Sequence, residues 1–147
     1  MSILRACARP MLASMFLYGG ADAVLNPARL ESTAEPVVDS LADHVPTVPQ
    51  QTRTAIRLNA AAQLAAGALL ATGRLTRPAA LVLAATLVPV TLAGHRFWEI
   101  KDDEERAQQR IHFLKNLSMC GGLLLAVADA GAGPSLGWRA RHHQWTS

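Results

Sequence analysis

Four apolar stretches, each set off from the next by a cluster of charge, narrow most sharply what this chain can fold into. They run over residues 10–25 (PMLASMFLYGGADAVL), 56–73 (IRLNAAAQLAAGALLATG), 78–94 (PAALVLAATLVPVTLAG) and 111–130 (IHFLKNLSMCGGLLLAVADA). A helix needs ~20 largely apolar residues to cross a bilayer. The charges fall near residues 5–9, 29–57, 74–77, 96–110 and 139–141. Charged residues make up 17% of the chain, against ~25% in a soluble domain. The spacing predicts an all-α fold, a four-transmembrane-helix bundle forming one domain over residues 1–147. Gly19, Gly20, Gly67, Pro89, Gly121 and Gly122 fall inside these stretches; small residues let membrane helices approach closely.

Two other readings of the pattern are open. Arg5 and Arg9, the apolar stretch and Ala21-Asp22-Ala23 faintly match a signal peptide, but three more apolar stretches follow. A soluble helical bundle is the other, but the second and third stretches are apolar nearly all round, with little to face water.

The segment 26–55 between the first two spans carries Glu31, Glu35, Asp39 and Asp43 at every fourth position. That spacing draws acids along one helical face, with Val37, Val38, Leu41 and Val45 largely elsewhere. It predicts a short amphipathic segment lying on the membrane, interrupted near Pro36. In the loop 95–110, Phe97 and Trp98 suit the aromatic belt at the membrane surface. Asp102 and Glu105 have capping-box spacing, so the fourth helix is expected to begin near Asp103.

With four spans, the ends of the first and third and the starts of the second and fourth lie on one side. At ~1.5 Å rise per residue, Asp22, Asn59, Gln63, His95, His112, Lys115 and Asn116 then share one half of the membrane. His112, Lys115, Asn116 and Met119 form one helical stripe, and Met15, Tyr18, Gly19 and Asp22 another. Ionisable groups in lipid cost a few kcal/mol or more and seek partners, which predicts that Asp22 and Lys115 form an ion pair or meet through a bridging polar group. These seven residues are the candidate ligand-binding set, lining a cavity with apolar walls and a polar mouth. A quinone headgroup or another small amphiphile suits such a cavity, where the imidazoles of His95 and His112 could donate or relay protons. The same polarity also serves to glue helices together.

Other chemistry is poorly served. Two histidines without a further ligand predict no metal site. The net charge of +3 is spread as isolated arginine pairs, not as the basic stripe that nucleic acid needs. Cys7 and Cys120 form no C-x-x-C motif and are placed too far apart in depth to bridge. Electron transfer would therefore need an external redox partner or a bound quinone. Lys and Arg are balanced across the two sides: Arg5, Arg9, Arg74, Arg77, Arg139 and Arg141 against Arg29, Arg53, Arg96, Lys101, Arg106 and Arg110. The short flanking segments favour cytoplasmic termini.

The segment from Gly94 to Leu125, with His95, Phe97, Trp98, Phe113, Lys115, Asn116, Gly121 and Gly122, resembles the DoxX family. The stretch from Arg9-Pro10 through Gly20, with Asp22 and Pro27, is similar to that family's first helix. The resemblance implies a four-helix, multi-pass protein of the bacterial plasma membrane. The family takes its name from a subunit of a thiosulfate:quinone oxidoreductase, and some members are linked to membrane redox or oxidative-stress complexes. Two functions follow as expectations: a redox-complex subunit holding a quinone-like molecule, or a non-enzymatic scaffold or small-molecule permease.

Overall fold

The computed structural model describes residues 3–129. The arginine pair at 139 and 141 and the His- and Trp-bearing tail lie outside the described residues. Helices α1 (Ile3–Leu25), α2 (Glu31–His44), α3 (Thr52–Thr72), α4 (Thr76–Gly94) and α5 (Asp103–Asp129) account for most of the chain, with 3-10 turns at Pro27–Leu30 and Phe97–Glu99. Among the described residues there is no strand, as an all-α fold requires.

Neighbouring long helices pack in the order α1, α3, α4, α5. Small residues set the closest approach. A Cβ on Gly20 would stand 3.1 Å from both the Ala60 carbonyl oxygen and Leu64 Cγ, and one on Gly67 would meet Leu17 at 3.0 Å. Ala13, Ala66, Ala79 and Ala80 fill the core beside Phe16, Leu70, Leu83 and Leu123. Gly73, in the left-handed region at φ 73°, ends α3 and turns the chain into α4, a conformation glycine adopts without Cβ strain.

Large apolar side chains lie mostly outside. Met11, Tyr18 and Leu25 of α1, Leu81 and Val88 of α4, and Ile111, Leu114, Leu117, Leu124 and Leu125 of α5 are all exposed. Water would penalise such continuous apolar faces; hydrocarbon would not. Two helical segments are long and apolar enough to cross a membrane: Thr76–Glu99, of mean hydropathy 1.6, and Asp103–Asp129, of mean hydropathy 1.5. Helices α1 and α3 fall short of that composition, because Arg5, Arg9 and Asp22 lie in α1, and Arg53, Arg57, Asn59 and Gln63 in α3. The expected count of four spans thus rests on helix number and packing, with two spans passing on composition alone.

The boundaries differ from expectation at two prolines. Helix α1 starts at Ile3 rather than residue 10 and carries Pro10 within it. The Ala6 carbonyl that Pro10 leaves unbonded is on an exposed residue, where solvent or headgroups satisfy it. Likewise Pro36 does not interrupt α2; it lies inside the helix, and Ser32, whose carbonyl it frees, is exposed. Val37 and Val38 are buried where α2 packs on α3 and α4, so the amphipathic helix is part of the bundle. Helix α5 begins at Asp103 as expected, with the Glu105 N–H donating to Asp102 Oδ1 at 2.9 Å, an N-cap bond.

Arg53, in the first turn of α3, fastens α2 through a two-pronged contact: Nε to Glu31 Oε1 at 3.1 Å and Nη2 to Glu31 Oε2 at 2.8 Å. The hydrogen bond from Arg53, more than its charge alone, holds the Glu31 carboxyl below the ordinary glutamate range. A carboxyl depressed in the folded state stabilises above its unfolded pKa and loses that contribution as pH falls through its folded pKa. Glu31→Gln is therefore expected to lower the unfolding midpoint at neutral pH and to match wild type in acid. Parallel pH-dependent unfolding curves check this.

Candidate functional site

The densest polar constellation is at the junction of α4 and α5. Gly94 ends α4 and His95 follows it, with its N–H bonded to the Thr91 carbonyl at 3.0 Å. His95 Nδ1 is 2.7 Å from Gln109 Oε1. With the amide oxygen accepting, His95 carries its proton on Nδ1 and, when neutral, keeps a lone pair on Nε2. The His112 ring stacks on His95, centroids 5.2 Å apart and planes 19° from parallel. Lys115 Nζ lies 3.5 Å from His112 Nδ1; when the ammonium donates there, a neutral His112 carries its proton on Nε2. The pair then offers one imidazole acceptor and one imidazole donor side by side, with an ammonium beyond. Phe97, Trp98 and Phe113 pack edge to face beside them at 5.2–6.0 Å.

Asn116 has a different role. It is buried, and its Nδ2 donates to Thr91 Oγ1 at 3.0 Å while that hydroxyl donates to the Leu87 carbonyl at 2.8 Å. This relay ties α5 to α4 and leaves no buried polar atom of the junction orphaned. Gln109 and Thr91 were both overlooked in the sequence. Their signal was spacing: Gln109 precedes His112 by three residues, and Thr91 precedes His95 by four, each on the same helical face.

The expected Asp22–Lys115 ion pair does not form. Asp22 accepts from Asn26 Nδ2 at 2.9 Å and faces Arg29 Nη2 at 3.4 Å. The 3-10 turn at Pro27–Leu30 brings Arg29 back beside the end of α1, so the carboxylate finds a cation locally. Among the described residues Lys115 forms no salt bridge. The expected stripe on α1 also points differently. Ala13, Phe16 and Gly20 make the buried face, whereas Met15 and Tyr18 are exposed.

Two contacts set the register of α1 against α5. Arg5 bonds Asp129, and a Cβ at Gly122 would touch Leu12 at 3.4 Å, which fixes α1 antiparallel to α5. Counting on in that register brings Gly19 level with Lys115 and Asp22 level with His112. Gly20 lies against Gln63 of α3, so Gln63 falls near the Lys115 level and Asn59 about one turn further on, near the end of α1. Gln63 is buried. Across the register, α1 and α5 separate: nothing stands within 4 Å of a Cβ placed on Gly19. The gap at Gly19 leaves open space between α1 and α5, a groove, beyond the Leu12–Gly122 contact.

Two open clefts lie elsewhere among the described residues. A cleft of about 270 Å³ sits at the opposite end, lined by Arg5, Arg9, Leu12, Leu70, Leu125 and Asp129 among others. A second, of about 250 Å³, is bordered by Phe97, Asp103, Arg106, Ala107 and Arg110 outside the apolar part of α5. Among the described residues no group of three or more His, Cys, Asp or Glu converges as metal ligands would. Cys7 is exposed, Cys120 half-buried, and both are free thiols.

Outward apolar faces, a core of small residues and two membrane-length helices define an integral membrane protein. Comparison with protein families agrees. The DoxX family model matches residues 4–96, and the SURF4 family model matches residues 55–138. The chain belongs to the DoxX family. Its match ends before α5, whereas the segment 94–125 falls wholly within the SURF4 match. Comparison with curated proteins and with solved structures finds no match.

Proposed function

We propose that the chain is a multi-pass component of the bacterial plasma membrane, its four long helices crossing the bilayer, that receives the polar head of a quinone-like amphiphile at the α4–α5 edge. On this reading it serves a membrane redox complex as a subunit, with electrons supplied by a partner protein. One observation carries the proposal. Lys115 is a charge within a membrane-length helix, and its near polar neighbour is an imidazole rather than a carboxylate. An ammonium in lipid is costly unless something pairs with it, and a carbonyl-bearing headgroup in the groove would do so.

The donors and acceptors suit both redox forms. Lys115 and His112 Nε2 donate to a quinone carbonyl; His95 Nε2 accepts from a quinol hydroxyl. Two stacked imidazoles can also relay protons. Asn116 holds α5 in register, while Asp22, Asn59 and Gln63 form the facing wall of the groove. A short-chain benzoquinone titrated into purified protein in detergent tests the reading. Saturable binding that protects His95 and His112 from imidazole-directed modification supports it, and unsaturable partitioning that matches empty micelles refutes it. The groove itself favours a second reading, a small-molecule permease or scaffold, in which uptake into vesicles proceeds without quinone.

A further inference from the structure

At the opposite end of the bundle, four arginines (Arg5, Arg9, Arg74 and Arg77) stand against a single aspartate, Asp129. The cleft of about 270 Å³ opens there between the first turns of α1 and the last turns of α5. Arg5, Arg9 and Leu12 follow i, i+4, i+7 spacing, so one stripe of α1 faces the cleft. Asp129 neutralises Arg5 through two contacts, at 2.9 and 3.0 Å. Arg9 differs. It is half-buried, its guanidinium packs over Gly73 at the end of α3, and among the described residues it forms no salt bridge. The floor is apolar, with Leu70 fully buried, and Leu125 stands exposed at the rim on the lipid-facing side.

We propose that this cleft binds the phosphate of an anionic phospholipid, with Arg9 as the phosphate ligand and an acyl chain lying along Leu12 and Leu125. A guanidinium presents paired donors that match phosphate oxygens. The net positive charge of this end selects an anion. The apolar floor and exposed leucine favour an amphiphile over a free ion, because a soluble anion would leave both bare. The proposal needs only that the bundle sits in lipid and does not depend on the quinone reading.

The test is native mass spectrometry of full-length protein released from vesicles of phosphatidylcholine containing a minor share of phosphatidylglycerol. Wild type is expected to retain phosphatidylglycerol about tenfold over its share, the scale of one charge-assisted contact. Arg9→Gln is expected to abolish that preference and Arg9→Lys to keep part of it. Ala8→Leu, at an exposed position on the lining, is expected to block the cleft while leaving both arginines in place. It serves as the measure if Arg9→Gln fails to fold. Equal retention of the two lipids by wild type, or a preference that survives either Arg9→Gln or Ala8→Leu, overturns the proposal. So does inorganic phosphate that displaces the lipid at matching concentration, since a soluble anion would then be the ligand. A role for Arg9 confined to capping α3 would lower stability without changing lipid preference, and that result also contradicts it.

Discussion

Gly20→Leu is expected to force α1 away from α3 and to cost about 3 kcal/mol or more, the upper range for overpacking a tight contact. Leucine at the adjacent Gly19 is expected to cost little. The contrast is geometric. A Cβ on Gly20 already crowds a backbone oxygen of Ala60, which cannot swing aside, whereas one on Gly19 meets nothing within 4 Å. In lipid the transfer of leucine between positions gains almost nothing, so packing decides the outcome. Denaturation of each variant in mixed detergent micelles reads the difference. Equal stability of the two would mean that α1 and α3 do not approach as described.

Lys115→Met is expected to weaken quinone binding by about 10- to 100-fold, the equivalent of one charge-assisted hydrogen bond, while leaving stability at or above wild type. Removing a charge that no carboxylate pairs should relieve the helix, not harm it. Asn116→Leu is expected to do the reverse. It breaks the relay through Thr91 and costs about 1 kcal/mol of stability, with binding reduced only as far as α5 shifts. Binding isotherms and unfolding curves on the two variants separate a headgroup contact from a helix fastening. If Lys115→Met unfolds the protein, the ammonium is structural and the site is misassigned.

The part of this architecture that depends on periodicity was readable from residues alone. Helix α4 and the start of α5 fell where hydropathy, Asp102 and Glu105 put them. The common depth of Asp22, Gln63, His95 and Lys115 is an expectation from rise per residue; the Arg5–Asp129 contact fixes only that α1 runs antiparallel to α5. Azimuth was not readable, and that is where expectation failed. Asp22 was matched to Lys115 by depth, but the pairing was decided by the 3-10 turn that returns Arg29 to the end of α1. Pro10 marks the expected start of the first apolar span and Pro36 an expected interruption of the amphipathic segment, yet each lies inside a helix where the carbonyl it frees belongs to an exposed residue. The arginine-end cleft depends on where α1 and α5 touch, and no spacing within one helix encodes a contact between two.

Crossing of the bilayer by α3 and α4 can be measured directly with single cysteines at Gln51, Arg74 and Lys101, after Cys7 and Cys120 are replaced by serine and alanine. A membrane-impermeant maleimide applied to sealed vesicles of one orientation should label Gln51→Cys and Lys101→Cys from the same side and Arg74→Cys only after the membrane is opened, or the mirror pattern in inverted vesicles. Labelling of all three from one side would mean that neither helix traverses the membrane, and the polar groove could not then lie at a common depth in lipid.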